Sequence, residues 1–301
     1  MPTKQNLRRI LIATLGACAV FGFAWALGVY RADAIESHQF FGNLEGPRPV
    51  VVSEAGGSGL WPENTFAAIR GSLALGVELI TLDVRITRDG VPVLMRDERV
   101  DRTTNGTGLV SELSSHSLED LDAGLGFESI DAAMPLFAGL GIGVPSLEDV
   151  FTSFDRTRFL LILRGGEDQL AEAVGEIIEQ FGRTDRTIVY SETDAIIDVF
   201  RTQFAGVATV GTPSELRRFT LLNSIFSSRA YTPQAEFLLV DTASDRSIPG
   251  PRFFSNAQRQ GMHVVAVSSG DPDQVKLLAD HGADLIITPY PDRALAALMR
   301  L

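Results

Sequence analysis

Residues Leu82–Met95 read "LDVRITRDGVPVLM". Asp89-Gly90 stands in the middle, and an Asp-Gly pair between alternating residues is a strong hairpin signal, because glycine accepts the positive φ of a tight turn. The stretch is therefore read as two antiparallel strands joined at Asp89-Gly90. Its first half belongs to "LITLDV" (Leu79–Val84), one of eight short apolar runs. The others are "VVVS" (Val50–Ser53), "FLLIL" (Phe159–Leu163), "TIVY" (Thr187–Tyr190), "GVATV" (Gly206–Val210), "FLLV" (Phe237–Val240), "HVVAV" (His263–Val267) and "DLIIT" (Asp284–Thr288). Near-continuous apolar runs suit strands buried on both faces, as in a parallel sheet. Helical patterns lie between most of them. Asn64 is placed to cap "TFAAIRGSLALG", which ends at Gly76. "SLEDVFTSF" from Ser146, "DQLAEAVGEIIEQFG" from Asp168 and "DPDQVKLLADHG" from Asp271 repeat the logic, the last two closing on glycine.

Eight strand–helix alternations in about 250 residues predict the α/β class and a (β/α)8 TIM barrel. The hairpin is then an excursion after the second strand, carrying Arg96 and Asp97 back toward the barrel mouth. An open doubly wound sheet is the alternative, but "SEAGGSG" after the first strand lacks the spacing of a dinucleotide-binding turn.

The net charge of −12 over 301 residues excludes a nucleic-acid binder, which needs a basic face, and a broad electrostatic grip on anionic lipid. The one cysteine, Cys18, allows no intrachain disulfide and leaves the compartment open. The N-terminus says more. Lys4, Arg8 and Arg9 precede the uncharged run Ile10–Tyr30, and Asp33 and Glu36 follow it. A span needs roughly 20 apolar residues, and the basic flank predicts a cytoplasmic N-terminus. The expected organisation is a basic tail (1–9), a transmembrane anchor or signal segment (10–30), a juxtamembrane linker (31–46) and the barrel (47–301). The expected location is a bacterial-type inner membrane, crossed once, with the barrel periplasmic or extracellular. Two rival readings are secretion after cleavage near Ala34, at "ADA", and lipidation at the "LGAC" ending in Cys18. The anchor leads because the run outlasts an ordinary signal segment.

Working outward, further strings fall in a recognisable order: "PENT" (Pro62–Thr65), the hairpin, "DRTTNGTG" (Asp101–Gly108), "LEDLDAG" (Leu118–Gly124), "VPSLEDV" (Val144–Val150) and "GADLIITPYPD" (Gly282–Asp292). Together they resemble the glycerophosphodiester phosphodiesterase family over nearly everything after the apolar run. The resemblance implies a barrel whose mouth binds a divalent cation and cleaves glycerophosphodiesters to glycerol phosphate and an alcohol. It also implies two acid/base histidines, a Glu-x-Asp pair and a further glutamate holding the metal, and a lysine facing phosphate.

Laid on those slots, this chain departs at the chemistry. Glu54, Ala55 and Gly56 stand in the His-Arg-Gly slot, and Thr81 and Asp83 in the Glu-x-Asp slot. Arg96 precedes Asp97 where a histidine is implied, and Ile162 and Arg164 occupy the Glu-x-Lys slot. Ala266 and Val267 stand for a Trp-Thr pair, and Thr288 and Pro289 for Thr-Asp. None of His38, His116, His263 and His281 falls in a matched slot. Drift would damage turns and core as readily as a site, so a loss confined to the site implies a fold still needed and a reaction given up.

The candidate ligand-binding residues are Glu54, Asp83, Arg96, Asp97 and Arg164, with no catalytic residue assigned. Arg96 or Arg164 is expected to pair with Asp83 and supply the charge a metal once did. No cofactor is expected; calcium or magnesium at Asp83 and Glu54 enters only if the site was rebuilt for catalysis with Glu54 as base. Glu63, Asn64, Asp101, Arg102 and Thr103 are read as caps and turns. The resemblance implies that Gly124–Gly143 is an insertion beside the mouth; the apolar, glycine-rich stretch is read either as a packed loop or as a lid touching lipid or a partner. Three functions follow: a tethered, catalytically degenerate barrel binding a phospholipid headgroup, a glycerophosphodiester or a protein partner; an active hydrolase with a rebuilt site; or a structural membrane-associated module.

Overall fold

The computed structural model describes residues 49–127, 136–165, 168–243 and 248–299, together with Asn6, Thr14, Gly16, Gly22, His38 and Phe40. The expected span at 10–30, its flanking tail and linker, and the cleavage and lipidation sites lie outside the described residues, apart from those isolated positions. Among the described residues no helix is long and apolar enough to cross a membrane.

The eight apolar runs form eight parallel strands: β1 (Val50–Ser53), β2 (Leu79–Ile86), β4 (Arg158–Leu163), β5 (Thr187–Tyr190), β6 (Ala208–Gly211), β7 (Phe237–Asp241), β8 (His263–Val267) and β9 (Leu285–Thr288). They pair in the order β1-β9-β8-β7-β6-β5-β4-β2, and β1 pairs with β2 through Val52↔Leu79 and Ser53↔Ile80, which closes the barrel. The hairpin partner β3 (Pro92–Leu94) lies antiparallel on β2, with Val84 opposite Leu94 and Ile86 opposite Pro92. The connection is longer than the Asp-Gly pair alone. Thr87 turns with it, its hydroxyl donating to Asp89 and accepting from Val91 N–H, while Gly90 takes φ 80°.

Helices wrap the barrel: α1 (Phe66–Ala74), α3 (Leu147–Ser153), α4 (Asp168–Gln180), α5 (Asp194–Gln203), α6 (Pro213–Ser224), α7 (Pro251–Gln258), α8 (Pro272–His281) and α9 (Pro291–Leu298), with a short α2 (Ser115–Glu119) beyond the hairpin. Their starts follow capping chemistry. Ser146 accepts from Asp149 N–H, Asp271 from Asp273 and Gln274, and Thr212 forms a reciprocal capping box with Glu215.

One cap differs from expectation. Thr65, not Asn64, caps α1: it is extended at φ −120° and accepts from Ala68 N–H. Asn64 is buried at φ 58°, a left-handed conformation asparagine tolerates, and its side chain turns into the barrel. Thr65→Ala is therefore expected to cost about 1 kcal/mol, a fall of roughly 2–4 °C in a thermal melt. An unchanged melting temperature would return the cap to Asn64.

Apolar side chains form a layer inside the barrel and two larger clusters between sheet and helices. A fourth cluster under the hairpin, with Val93, Met95, Val100 and Val110, fixes the excursion against the mouth. The opposite end is stoppered. Phe40 is fully buried with Leu79, Ile188, Phe237 and Leu285, its ring edge-on to Phe237 at 5.9 Å, and His38 Nε2 lies 3.0 Å from the Gly206 carbonyl. His263 also sits at this end, 3.2 Å from Asp284. His281 bonds the Pro249 carbonyl and His116 is exposed beside Glu119.

Candidate functional site

Strand alternation decides which side chains reach the mouth. Thr81, Asp83 and Arg85 are two residues apart on β2 and so share a face. Thr81 is fully buried, and its hydroxyl accepts from the Ala55 N–H at 2.8 Å. That bond holds the turn Glu54–Gly56 at the end of β1, where Ala55 takes φ 48°. Gly56 is required there, since a Cβ would lie 2.7 Å from the Ala68 Cβ. The turn swings Glu54 over the barrel end.

Asp83 is the centre of the site and is fully buried. Its Oδ1 accepts from Arg164 Nε at 2.7 Å, and its Oδ2 from Arg96 Nε and Asn64 Nδ2, both at 3.1 Å. Asn64 Oδ1 in turn accepts from the Asp83 N–H at 2.9 Å. Burial pushes the Asp83 carboxyl up, but the Arg96 and Arg164 charges and the Asn64 bond outweigh it and hold it below the ordinary value. Arg96 also reaches Glu54 Oε1 through Nη2 at 2.8 Å. Burial works against its charge, but Asp83, Glu54 and Glu63 prevail and raise it above its ordinary value.

Backbone bonds aim both arginines. Met95 N–H donates to the Asp83 carbonyl and Arg164 N–H to the Val84 carbonyl. Arg85 joins the two segments, donating from Nε to the Arg96 carbonyl at 3.0 Å and from Nη1 to the Arg164 carbonyl at 3.1 Å. Reading the sequence did not single out Arg85, although its place two residues from Asp83 on one strand was a signal.

The structure thus brings Glu54, Asp83, Arg96 and Arg164 together. Asp97 is not part of this cluster. It pairs with Arg102, which also forks onto Glu63 at 2.6 and 3.2 Å. Glu63 and Arg102, read as cap and turn residues, thus form an outer ion-pair layer beside the site. Asp101 does hold a turn, accepting from Gly108 N–H. Glu192, also absent from the sequence reading, stands 3.7 Å from Arg164.

Two clefts meet at Arg164. The larger, about 1120 Å³, is lined by Glu54, Ile162, Arg164, Tyr190, Asp241 and Arg252, among others. Burial, with Glu192 and Asp241 nearby, pushes the Tyr190 hydroxyl up to about 12. The smaller, about 600 Å³, is lined by Arg85, Arg96, Arg99, Arg102 and Arg164 with Asp97, Glu98 and Asp101. In the insertion, residues 128–135 lie outside the described residues. Of the remainder, Gly126 packs against the Arg102 carbonyl, and Leu125, Leu136 and Leu140 are exposed.

A hard divalent cation wants six or more oxygens. Here both Asp83 oxygens already accept from cationic or amide donors, and Glu54 is bound to Arg96. Among the described residues no group of three or more His, Cys, Asp or Glu could hold a metal ion. The residues present do not fit the cation. No imidazole stands among them to move a proton.

The sequence profile described as "Glycerophosphoryl diester phosphodiesterase family" matches residues 55–293. YhdW of Bacillus subtilis is 29% identical over 245 residues, covering 80% of this chain and 95% of that protein. A glycerophosphodiester phosphodiesterase crystal structure from Agrobacterium tumefaciens superposes with TM-score 0.67 at 26% identity, covering 82% of this chain and 99% of that one. An Oleispira antarctica phosphodiesterase solved with its product sn-glycerol-3-phosphate shares the fold, with TM-score 0.69 at 21% identity over 83% of this chain and 97% of that one.

Proposed function

This chain belongs to the glycerophosphoryl diester phosphodiesterase family, and from that premise we propose that it is a membrane-anchored barrel that binds a phosphoester headgroup without hydrolysing it. The observation that carries this reading is the saturation of Asp83 by Arg96, Arg164 and Asn64. Two guanidinium groups stand where the family resemblance implies a metal and an acid/base histidine. They neutralise the carboxylate, as a cation would, but supply no Lewis acid and surrender no proton near neutral pH. Glu54, the remaining candidate base, is engaged by Arg96 at 2.8 Å.

What the arginines keep is affinity for an anion. A guanidinium has five N–H donors. The hydrogen bonds described engage two from Arg96 and one from Arg164, and both residues line open clefts. Planar forks of this kind suit phosphate oxygens. The product-bound Oleispira relative supports a phosphoester as the ligand class. The anchor rests on the uncharged run Ile10–Tyr30 and its basic flank.

The test uses the full chain in detergent with glycerophosphocholine, with and without calcium or magnesium. No release of glycerol phosphate is expected. Glycerol phosphate or the diester is expected to raise the melting temperature in a concentration-dependent way, because a ligand that binds only the folded state stabilises it. Metal-dependent turnover abolished by Asp83→Ala would replace this reading with that of a rebuilt hydrolase. Neither turnover nor stabilisation would leave a structural module.

A further inference from the structure

We propose that the barrel stands with its stoppered bottom toward the bilayer and its mouth toward the water. The site at the mouth is then out of reach of the lipids of the membrane that holds the chain. This rests on the anchored, headgroup-binding reading above.

The argument starts from Phe40. It is fully buried among side chains that open the strands, Leu79 of β2, Phe237 of β7 and Leu285 of β9. His38 is fastened to Gly206, just ahead of β6. The chain therefore joins the barrel from below, on its axis. Glu54, Arg96 and Arg164 lie at the other end, after the strands or the hairpin.

Eight peptide steps separate Tyr30, the last residue of the apolar run, from His38. Fully extended they span at most ~29 Å. To turn the mouth toward the same bilayer, this tether would have to run outward past the ring of helices and then up their flank. A helix of thirteen residues such as α4 is ~20 Å long. With the strand and helix layers added, the path is on the order of 40 Å. The tether is too short for that. Leu125, exposed beside the Gly126 that packs on the Arg102 carbonyl, is held away from the chain's own membrane by the same constraint.

The test places the full-length chain, with Cys18→Ser as background, in phosphatidylcholine vesicles containing phosphatidylglycerol. One fluorophore is attached at Gln234→Cys, an exposed bottom position shortly before β7, and in a separate sample at Asp273→Cys, 95% exposed in the first turn of α8. A quencher carried on lipid headgroups is expected to dim the bottom label several-fold more than the mouth label. Inserting about twenty Gly/Ser residues after Ala34 is expected to erase the difference while the chain stays on the vesicles. Equal quenching in the chain of native length overturns the orientation. Stronger quenching at the mouth overturns it too and marks the loop at Leu125 as the lipid contact. Release of the chain from vesicles also overturns it.

A second arm compares soluble glycerophosphoglycerol with the phosphatidylglycerol of the chain's own vesicles. Only the soluble diester is expected to raise the melting temperature. Stabilisation by the vesicle lipid overturns the inference. If no phosphoester stabilises but the labels behave as expected, the orientation stands and the headgroup-binding reading fails.

Discussion

Replacing Asp83 with alanine is expected to destabilise the fold by about 3 kcal/mol, near the lower end of what breaking a buried ion pair costs. The loss comes less from the carboxylate than from what it leaves behind. Arg96 and Arg164 converge on Asp83 with side chains only 28% and 27% exposed, so two cations would face each other across a vacated space. Their remaining contact with water keeps the effect from the top of the range. A domain of this size should melt roughly 6–12 °C lower. Arg102→Ala is the internal comparison. Arg102 is 51% exposed, and loss of its pairs with Glu63 and Asp97 should cost no more than about 1 kcal/mol. If the two variants melt together, the Asp83 network is only another surface cluster.

The same network fixes the sign of a pH dependence. The Asp83 carboxyl lies below its ordinary value in the folded state, because the arginines and Asn64 outweigh the burial that pushes it up. A depressed folded value means the unfolded chain takes up the proton first. The stabilisation is then complete above the unfolded value near 4 and is lost as pH falls through the lower folded value. The stability difference between wild type and Asp83→Asn should stay level from neutrality to about pH 5 and shrink below about pH 4. Asp284 is also depressed: burial raises it, but bonds from His263, Gln258 and the Val264 N–H prevail. That leaves an acid limb in the variant, so the difference between the two chains is the quantity to measure. A difference that widens on acidification contradicts the arrangement.

The frame was legible because parallel strands buried on both faces write themselves as apolar runs. All eight fall on strands, with ends shifted by no more than two residues, as at Gly206–Val210 against Ala208–Gly211. The hairpin was legible from one dipeptide. The meeting of Arg96 and Arg164 with Asp83 was legible from the family slots together with charge. The rest depended on directions that residue identity does not carry. Asn64 and Thr65 both offer a capping oxygen, and only the backbone decides that Thr65 caps while Asn64 turns inward. Asp97 was grouped with Arg96 because both fall in the slot at the hairpin end, yet the chain bends there and the Asp97 carboxylate goes to Arg102. The Glu63–Arg102 pair joins residues 39 apart and left no local pattern.

If the arginines replace a metal, returning the slots should return the metal. A chain carrying Glu54→His, Thr81→Glu, Arg96→His, Ile162→Glu and Arg164→Lys restores the donor types that the family resemblance implies. Without a cation it should be less stable than wild type, because two new carboxylates then crowd around Asp83 with both guanidiniums gone. Adding calcium or magnesium should reverse that. At a hundredfold excess over the dissociation constant, binding to the folded state contributes about 2.7 kcal/mol, or roughly 5–10 °C in a domain of this size. A chelator should remove the gain. Wild type should show no such response, since both Asp83 oxygens are already taken. The buried Thr81 is the hard step: the glutamate must fit where a hydroxyl now accepts from Ala55 N–H. A variant that keeps Thr81 and carries the other four changes separates poor packing from missing ligands. Equal cation responses in wild type and the restored chain would mean that the arginines never displaced a metal, and the pairing at Asp83 would need another cause.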